Sequence, residues 1–236
     1  MRFLMPLILL TASCSSLSSS QKISAEDLSH VHSIAVFSDM GDDLNFGYST
    51  GTAFGTGSIK MNEGAWGIDT YAEQVLVQSL KNNPQFATVS AFKDSTPRPF
   101  VKDVSDREAF LTRAKNQGFD AVIFFRPTPN DGVPQLRPGY GLFKNRADQE
   151  LVDHYVYVLG TLAVYETTHH KLLNWTWTYN YKTYKPGIVS DTPVRWRNHF
   201  EDYSADEKIF IQKLLKEQIK IDLAYALAAL DLAPSR

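Results

Sequence analysis

The sequence has one cysteine, Cys14, in 236 residues. No internal disulfide can form, and a zinc site built on several thiolates is excluded. The core must stand without a staple. A body of ~220 residues buries roughly 70% of its unfolded surface, which is enough. Positive charge is not in excess, with 24 Lys and Arg against 26 Asp and Glu and a net charge of −2. No basic stripe is present of the kind that neutralises phosphates, which argues against a nucleic-acid role. No apolar run approaches the roughly 20 residues of a spanning helix. Walker A, G-x-G-x-x-G and H-E-x-x-H are all missing, and so is any internal repeat. The phosphate, dinucleotide and zinc-hydrolase chemistries that those spacings serve have no support here. No cofactor and no metal are expected.

What is present begins at the N-terminus. Met1-Arg2 carries one positive charge, Phe3 to Leu10 is apolar without interruption, and Thr11-Ala12-Ser13 are small. A charged start, a short apolar run and a small-residue zone predict a secretory signal over residues 1–13. The stretch Leu10-Thr11-Ala12-Ser13-Cys14 resembles the lipobox of bacterial lipoproteins. Thr11 stands three residues before the cysteine, where that pattern prefers Leu. The resemblance implies a diacylglycerol thioether on Cys14, cleavage before it and acylation of the new amine. Several acyl chains hold a bilayer far more firmly than one myristoyl group. The other reading is an ordinary signal peptide with an incidental cysteine. Residues 14–30 follow as a serine-rich tether, and a single α/β domain is expected over 31–236. Ser15 follows the cysteine where inner-membrane retention of sorted lipoproteins usually has Asp. For a Gram-negative host this implies the outer membrane, facing the periplasm. Removing residues 1–13 deletes only Arg2 and leaves 23 basic against 26 acidic side chains.

The body reads as α/β with α+β character. "SIAVFSD" (Ser33–Asp39) is a compact apolar run and predicts a buried strand. A glycine-rich stretch follows, in which Phe46, Tyr48, Thr52 and Phe54 hint at a short strand or hairpin. Thr70-x-x-Glu73 predicts a capping box opening a helix to Asn82, and Ser105-x-x-Glu108 another, ending on Gly118. Phe86–Phe92 and Phe119–Phe125 predict two further strands. Strand, helix, strand, helix, strand implies crossovers and a mixed sheet. Val152–Glu166 and Lys171–Tyr184 predict a long antiparallel hairpin. In its second strand Leu173, Trp175, Trp177, Tyr179 and Tyr181 share one face, and Asn174, Thr176, Thr178, Asn180 and Lys182 share the other. Ser204-x-x-Glu207 predicts a third capping box and a long C-terminal helix to Asp231. Its apolar stripe is Phe210, Ile211, Leu214, Ile221, Tyr225, Ala228 and Leu232. The segment Leu223–Leu230 is apolar nearly all round, so it is expected to be buried on both sides or packed against another chain.

Few motifs carry chemistry. Gly47-Tyr48-Ser49-Thr50-Gly51 matches the G-x-S-x-G of serine hydrolases, which needs a strand, a sharp turn and a helix. The residues after Ser49 do not make a helix, so a glycine-rich loop is the stronger reading and no catalytic residue is assigned. Asp39, Asp42 and Asp43 lie past a parallel strand, where ligands bind in open α/β sheets. Their spacing fits no calcium loop, and Asp is a common turn residue. His30 and His32 find no third metal ligand, and His169-His170 sits in a hairpin turn. The aromatic strand face offers two readings. It is core beneath the C-terminal helix, the preferred one because so wide a face is costly to leave wet, or it is a sugar-stacking platform. Two long loops, Arg126–Glu150 and Lys185–Tyr203, complete the body. Loops of this length are functional or disordered, and Arg and Trp are enriched at interface hot spots. The candidate partner-binding residues are Arg195, Trp196, Arg197, Tyr140 and Phe143.

The order of lipobox, tether, "SIAVFSD", "AFLTRAKNQGFDAVIFF", the long hairpin with "YETTHHKLLNWTWTY" and a terminal helix is similar to the anticodon-binding-like α/β domain of periplasmic lipoproteins. Curli-secretion lipoproteins and lipoprotein activators of penicillin-binding proteins are the nearest in kind. The resemblance implies binding and assembly rather than catalysis. It departs in one respect, because neither long loop holds the paired membrane-spanning strands a secretion pore needs. The expectation is a non-enzymatic, membrane-anchored envelope lipoprotein that binds an envelope protein or itself. A wall-polysaccharide binder using the aromatic face is the alternative, and a hydrolase using Ser49 stands third.

Overall fold

The computed structural model describes residues 22–49, 56–62, 66–93, 104–128, 136–145, 154–179, 187–188, 194–195 and 197–232. Cys14, the signal and most of the tether lie outside them. In chain order the elements are α1 (Ala25–Leu28), β1 (Ser33–Ser38), β2 (Asp43–Ser49), β3 (Thr56–Asn62), α2 (Ile68–Leu80), β4 (Thr88–Ala91), α3 (Val104–Asn116), β5 (Ala121–Pro127), β6 (Gly139–Asn145), β7 (His154–Glu166), β8 (Leu172–Trp177), β9 (Gly187–Ile188) and α4 (Ala205–Ala229).

The apolar run at β1 is buried along nearly its whole length. Burial on both faces is what parallel pairing inside a layered sheet demands. β1 pairs in parallel with β4 on one edge and β5 on the other. A helix precedes each partner: α2 before β4 and α3 before β5. α2 buries Ala72, Leu76 and Leu80 in the main core with Ile34 and Val36, while α3 buries Phe110, Leu111 and Ala114 on the opposite face with Phe37 and Phe124. The α/β class with two crossover helices is therefore the fold the chain adopts. α3 ends as expected. Gly118 takes φ +86°, with Gly118 N–H donating to Lys115 O and Phe119 N–H to Ala114 O. That is a Schellman closure, which favours glycine at the left-handed position.

β7 joins two half-sheets. Its residues 160–166 pair with β5, and residues 161–165 pair with β8 on the other edge. Residues 154–159 pair with β6, and residues 155–156 with β9. A strand of 13 residues spans about 40 Å, long enough to serve both halves in turn. One half runs β4-β1-β5-β7-β8 and the other β3-β2-β6-β7-β9. Gly160 stands at the changeover, opposite Pro127. A Cβ there would lie 2.6 Å from the Phe125 ring and 2.9 Å from Arg126 O, so the two backbones approach only because the position is glycine.

Several expectations are corrected. The body starts ahead of Val31: Ser24 caps α1 by accepting from Asp27 N–H, and Ile23 and Leu28 are buried in the main core. Apolar residues spaced among serines anchor what composition alone makes a tether. α2 begins at Ile68 behind Gly67, which is left-handed and provides no side-chain cap. Glu73 is not a capping partner of Thr70; it is buried and accepts from Ser38 N–H at 3.1 Å. α3 opens at Val104, placing Ser105 inside the helix. The glycine-rich stretch after β1 holds a full antiparallel pair, β2 and β3, with Ser49 opposite Thr56. The long loop from Arg126 contains strand β6.

α4 keeps its predicted capping box, with Ser204 Oγ accepting from Glu207 N–H and Glu207 accepting from Ser204 N–H. Its buried stripe is rotated from the expected one. Ile211, Leu215, Ile219, Leu223, Ala226 and Leu227 face the core, whereas Ile221, Tyr225 and Ala228 are exposed. Leu223–Leu230 is thus amphipathic rather than covered all round. Asp222 lies on the buried side. Its Oδ1 accepts from Gln218 Nε2 at 2.8 Å, and its Oδ2 has no partner among the described residues. Burial pushes the Asp222 carboxyl up to about 8 in spite of that hydrogen bond.

Candidate ligand-binding groove

β8 lies antiparallel to the second half of β7, with Ala163 opposite Trp175 and Thr161 opposite Trp177. Directly opposed residues share a face. Leu162 and Val164, opposite Thr176 and Asn174, point the other way into the core that α4 covers. The two tryptophans therefore stand on the α3 side of the sheet. They are only partly buried, while Thr176 and Thr178 are buried on the α4 side. The expectation that the aromatic face is core beneath the C-terminal helix is overturned. The alternation from Asn174 to Thr178 was right and its direction reversed, because the α4 side opposite these positions is already filled by Leu162 and Val164 of β7. A register shift between Val164 and Tyr165 also detaches Leu173 from the aromatic stripe and packs it against the main core.

The stripe is a ladder. Trp175 and Trp177 have ring centroids 5.4 Å apart at 75°, and Trp177 and Tyr179 5.6 Å apart at 45°. These are edge-on and tilted contacts, which suit the ring quadrupoles. Tyr179 is buried at one end, with Leu136, Phe143, Tyr157 and Leu159. At the other end the ladder opens into a groove of about 260 Å³. Phe124 and Arg126 of β5 and Thr161, Ala163 and Tyr165 of β7 floor it. Trp175 and the exposed Leu172 of β8 form one wall, and Arg107 from the first turn of α3 forms the other.

Arg107 is the unusual member. Its guanidinium carbon lies over the Tyr165 ring at 5.1 Å from the centroid. Its Nε is buried with no hydrogen-bond partner among the described residues. A buried N–H without an acceptor costs about 1–3 kcal/mol, so this group is placed where the fold alone does not satisfy it. The groove thus combines aromatic faces with a cationic, planar donor.

The residues singled out from the sequence fall elsewhere. Tyr140 and Phe143 lie on β6 and are buried, Tyr140 donating its hydroxyl to Gly41 O at 3.0 Å, so neither offers a loop surface to a partner. Trp196 lies outside the described residues. Arg195 is exposed. Arg197 pairs with Glu207 at 3.1 Å, and its N–H donates to Tyr203 Oη at 3.2 Å. Burial pushes that phenol up to about 12. Phe200 and Tyr203 pack with Phe46, and Phe200 also with Trp66, so this connector is fastened to the core. Ser49 ends β2 opposite Thr56 of β3; residues 50–55 lie outside the described residues, and among the described residues no helix follows Ser49 before β3. Asp39 is buried, Asp42 exposed, and Asp43 opens β2. Among the described residues no group of three His, Cys, Asp or Glu is placed to hold a metal. His169 Nδ1 lies 3.2 Å from Glu166, and His170 Nε2 lies 3.3 Å from Thr112 Oγ1. His32 N–H donates to Asp120 at 2.9 Å.

Sequence reasoning missed Arg107, Arg126 and Tyr165. Only Tyr165 carried a signal, since it keeps the period-2 phase of Thr161 and Ala163. Arg107 reads as one more charge in a helix's first turn, and only the packing of α3 on the sheet brings it to the tryptophans. Asp69 was also missed. It closes the end of β1 by accepting from Ser38 Oγ and from the N–H groups of Met40 and Gly41.

No protein-family model matches the chain, and no curated protein matches it. Among solved structures, the PelC dodecamer from Paraburkholderia phytofirmans is similar to it at 12% identity and a TM-score of 0.31, over 87% of this chain and 93% of that one. A score of that size lies below the range of shared folds, so the likeness assigns neither a fold nor a partner.

Proposed function

We propose that the protein is a non-enzymatic binding module of the bacterial envelope. Acylated Cys14 holds it at the outer membrane, facing the periplasm, and its α/β domain binds a partner in the groove between α3 and β8. One observation carries the binding role: Arg107 is held over Tyr165 in the groove that Trp175 also lines, with its Nε buried and unpartnered among the described residues. Natural proteins tolerate such unsatisfied groups where function requires them. The lining favours recognition over transformation, since a guanidinium stays protonated at every working pH and indole offers only a donor and a ring face. The anchor rests on the lipobox-like stretch before Cys14 and the serines after it. A tethered domain keeps its effective concentration high near the membrane that carries it.

The test is a photo-crosslinking amino acid, p-benzoylphenylalanine, placed at Leu172 on the groove rim, with Ile209 on α4 as the exposed control. The full chain is expressed in the envelope of a Gram-negative cell. The proposal expects an adduct from position 172 and none from position 209. It also expects the 172 adduct to be lost when Cys14→Ser releases the chain from the membrane fraction. Equal adducts from both positions, or none from 172, would count against the groove. A Cys14→Ser chain that stays in the outer membrane would count against the anchor.

A further inference from the structure

We infer that the groove takes an acidic sugar unit, a pyranose ring bearing a carboxylate, carried on a polysaccharide chain. The inference rests on the groove being a binding site and names the chemistry of what it binds. Three observations converge on it.

The first is charge. Arg107 and Arg126 line the groove, and among the described residues no carboxylate does. An anion is the complement. The Arg107 guanidinium carbon lies over the Tyr165 ring, 5.1 Å from its centroid. Its Nε–H is buried and has no acceptor among the described residues. A guanidinium that lines a groove can receive a carboxylate through two parallel hydrogen bonds from one of its N–H forks.

The second is the aromatic wall. Trp175 presents a partly exposed indole to the groove that Arg107 also lines, and Trp177 follows at 5.4 Å. A pyranose has an apolar face of axial C–H bonds, which packs on an indole ring, and an edge of hydroxyls that stays in water. A flat anion without such a face would use Arg107 and leave Trp175 idle.

The third is size. The groove's 260 Å³ falls below the ~300–1,000 Å³ of clefts that enclose a drug-sized ligand. It is an open trough rather than a closed cavity. One ring fits, and the rest of its chain must run out along the surface, where Trp177 is the next aromatic step. Thr161, paired with Trp177 and also in the lining, offers a hydroxyl to a sugar hydroxyl at that step.

The experiment uses the full lipidated chain in detergent micelles and follows its tryptophan emission. Oligogalacturonate is the acidic probe and cellohexaose the neutral one. The inference expects saturable binding of the acidic oligomer, weakening as salt is raised. Arg107→Gln should weaken that binding about tenfold or more and weaken the cellohexaose response by less. Arg107→Lys should fail to restore it, because a point charge lacks the fork. Trp175→Ala should weaken both oligomers. Far-UV circular dichroism and the unfolding midpoint confirm that each variant is folded, and Arg126→Gln serves as a second variant should Arg107→Gln not fold. Equal affinity for the two oligomers, or full rescue by Arg107→Lys, overturns the acidic-sugar assignment. No response to either oligomer, with the Leu172 crosslink falling on a protein, also overturns it while the binding-site reading stands. No oligomer and no crosslink sinks both.

Discussion

The guanidinium carbon of Arg107 lies 5.1 Å from the centroid of the Tyr165 ring, and Arg107 Nε is buried without an acceptor among the described residues. A group that serves the fold would be satisfied by it. A group that serves a ligand is held ready at some cost in stability. Arg107→Met keeps the apolar stem and removes the orphaned donor. The expected outcome in urea unfolding is unchanged stability or a gain of up to about 1 kcal/mol. A loss above about 2 kcal/mol would make Arg107 a structural residue.

Gly160 tests the two-part sheet. It lies where β7 passes from pairing with β6 to pairing with β5, and an added Cβ meets Phe125 at 2.6 Å and Arg126 O at 2.9 Å. Gly160→Ala should cost about 1–3 kcal/mol through overpacking, because a backbone carbonyl cannot step aside. Gly41, at φ +77° with open space around it, has no such clash. Its alanine variant should suffer from backbone strain alone, and by a smaller amount. Equal losses at the two positions would contradict this account of β7.

Asp222 predicts a pH dependence of stability. Its carboxyl is raised from 3.8 to about 8 in the folded chain, chiefly by burial, with the Gln218 hydrogen bond opposing. In the unfolded chain it ionises near 3.8, so between these values the folded state holds the extra proton. Stability therefore falls as pH rises wherever the folded state binds more protons. The contribution is fully present below about pH 4 and is lost progressively as pH climbs to about 8. Asp222→Asn keeps an acceptor for Gln218 and removes the titration. It should raise stability at neutral pH by about 2 kcal/mol or more and flatten the slope across this window. An unchanged slope in urea unfolding from pH 5 to about 8 would contradict the assignment.

Much of the frame was legible in the sequence for local reasons. Ser33–Ser38 is apolar without a break, and only a strand buried on both faces suits it. Ser204 and Glu207 form their capping box because both partners of that motif lie within one turn. Gly118 ends α3 because a left-handed residue is needed there. What failed was set by long-range packing. Glu73 has the spacing of a capping partner, yet the end of β1 presents Ser38 N–H to it. Tyr140 and Phe143 look like loop residues among prolines and glycines, yet they alternate on a strand that pairs with β2 and β7. Trp175 and Trp177 share a face as their spacing requires. Which face is wet depends on where α3 and α4 lie, and strand periodicity does not encode that. The same holds for Arg107, which a helix more than sixty residues away in sequence carries to the tryptophans of β8.

The central claim is that a cationic, aromatic groove stands open in the full chain. Comparing iodide and caesium as quenchers of tryptophan emission, at matched ionic strength, tests it most directly. The measurement is made on the wild type, on Trp175→Phe and on Arg107→Gln. The account predicts that iodide quenches more than caesium and that Trp175→Phe lowers the quenchable emission. It also predicts that Arg107→Gln narrows the difference between the two ions, since the guanidinium concentrates the anion at the indole. Emission equally sensitive to both ions, or a Trp175 that neither ion reaches, would contradict it.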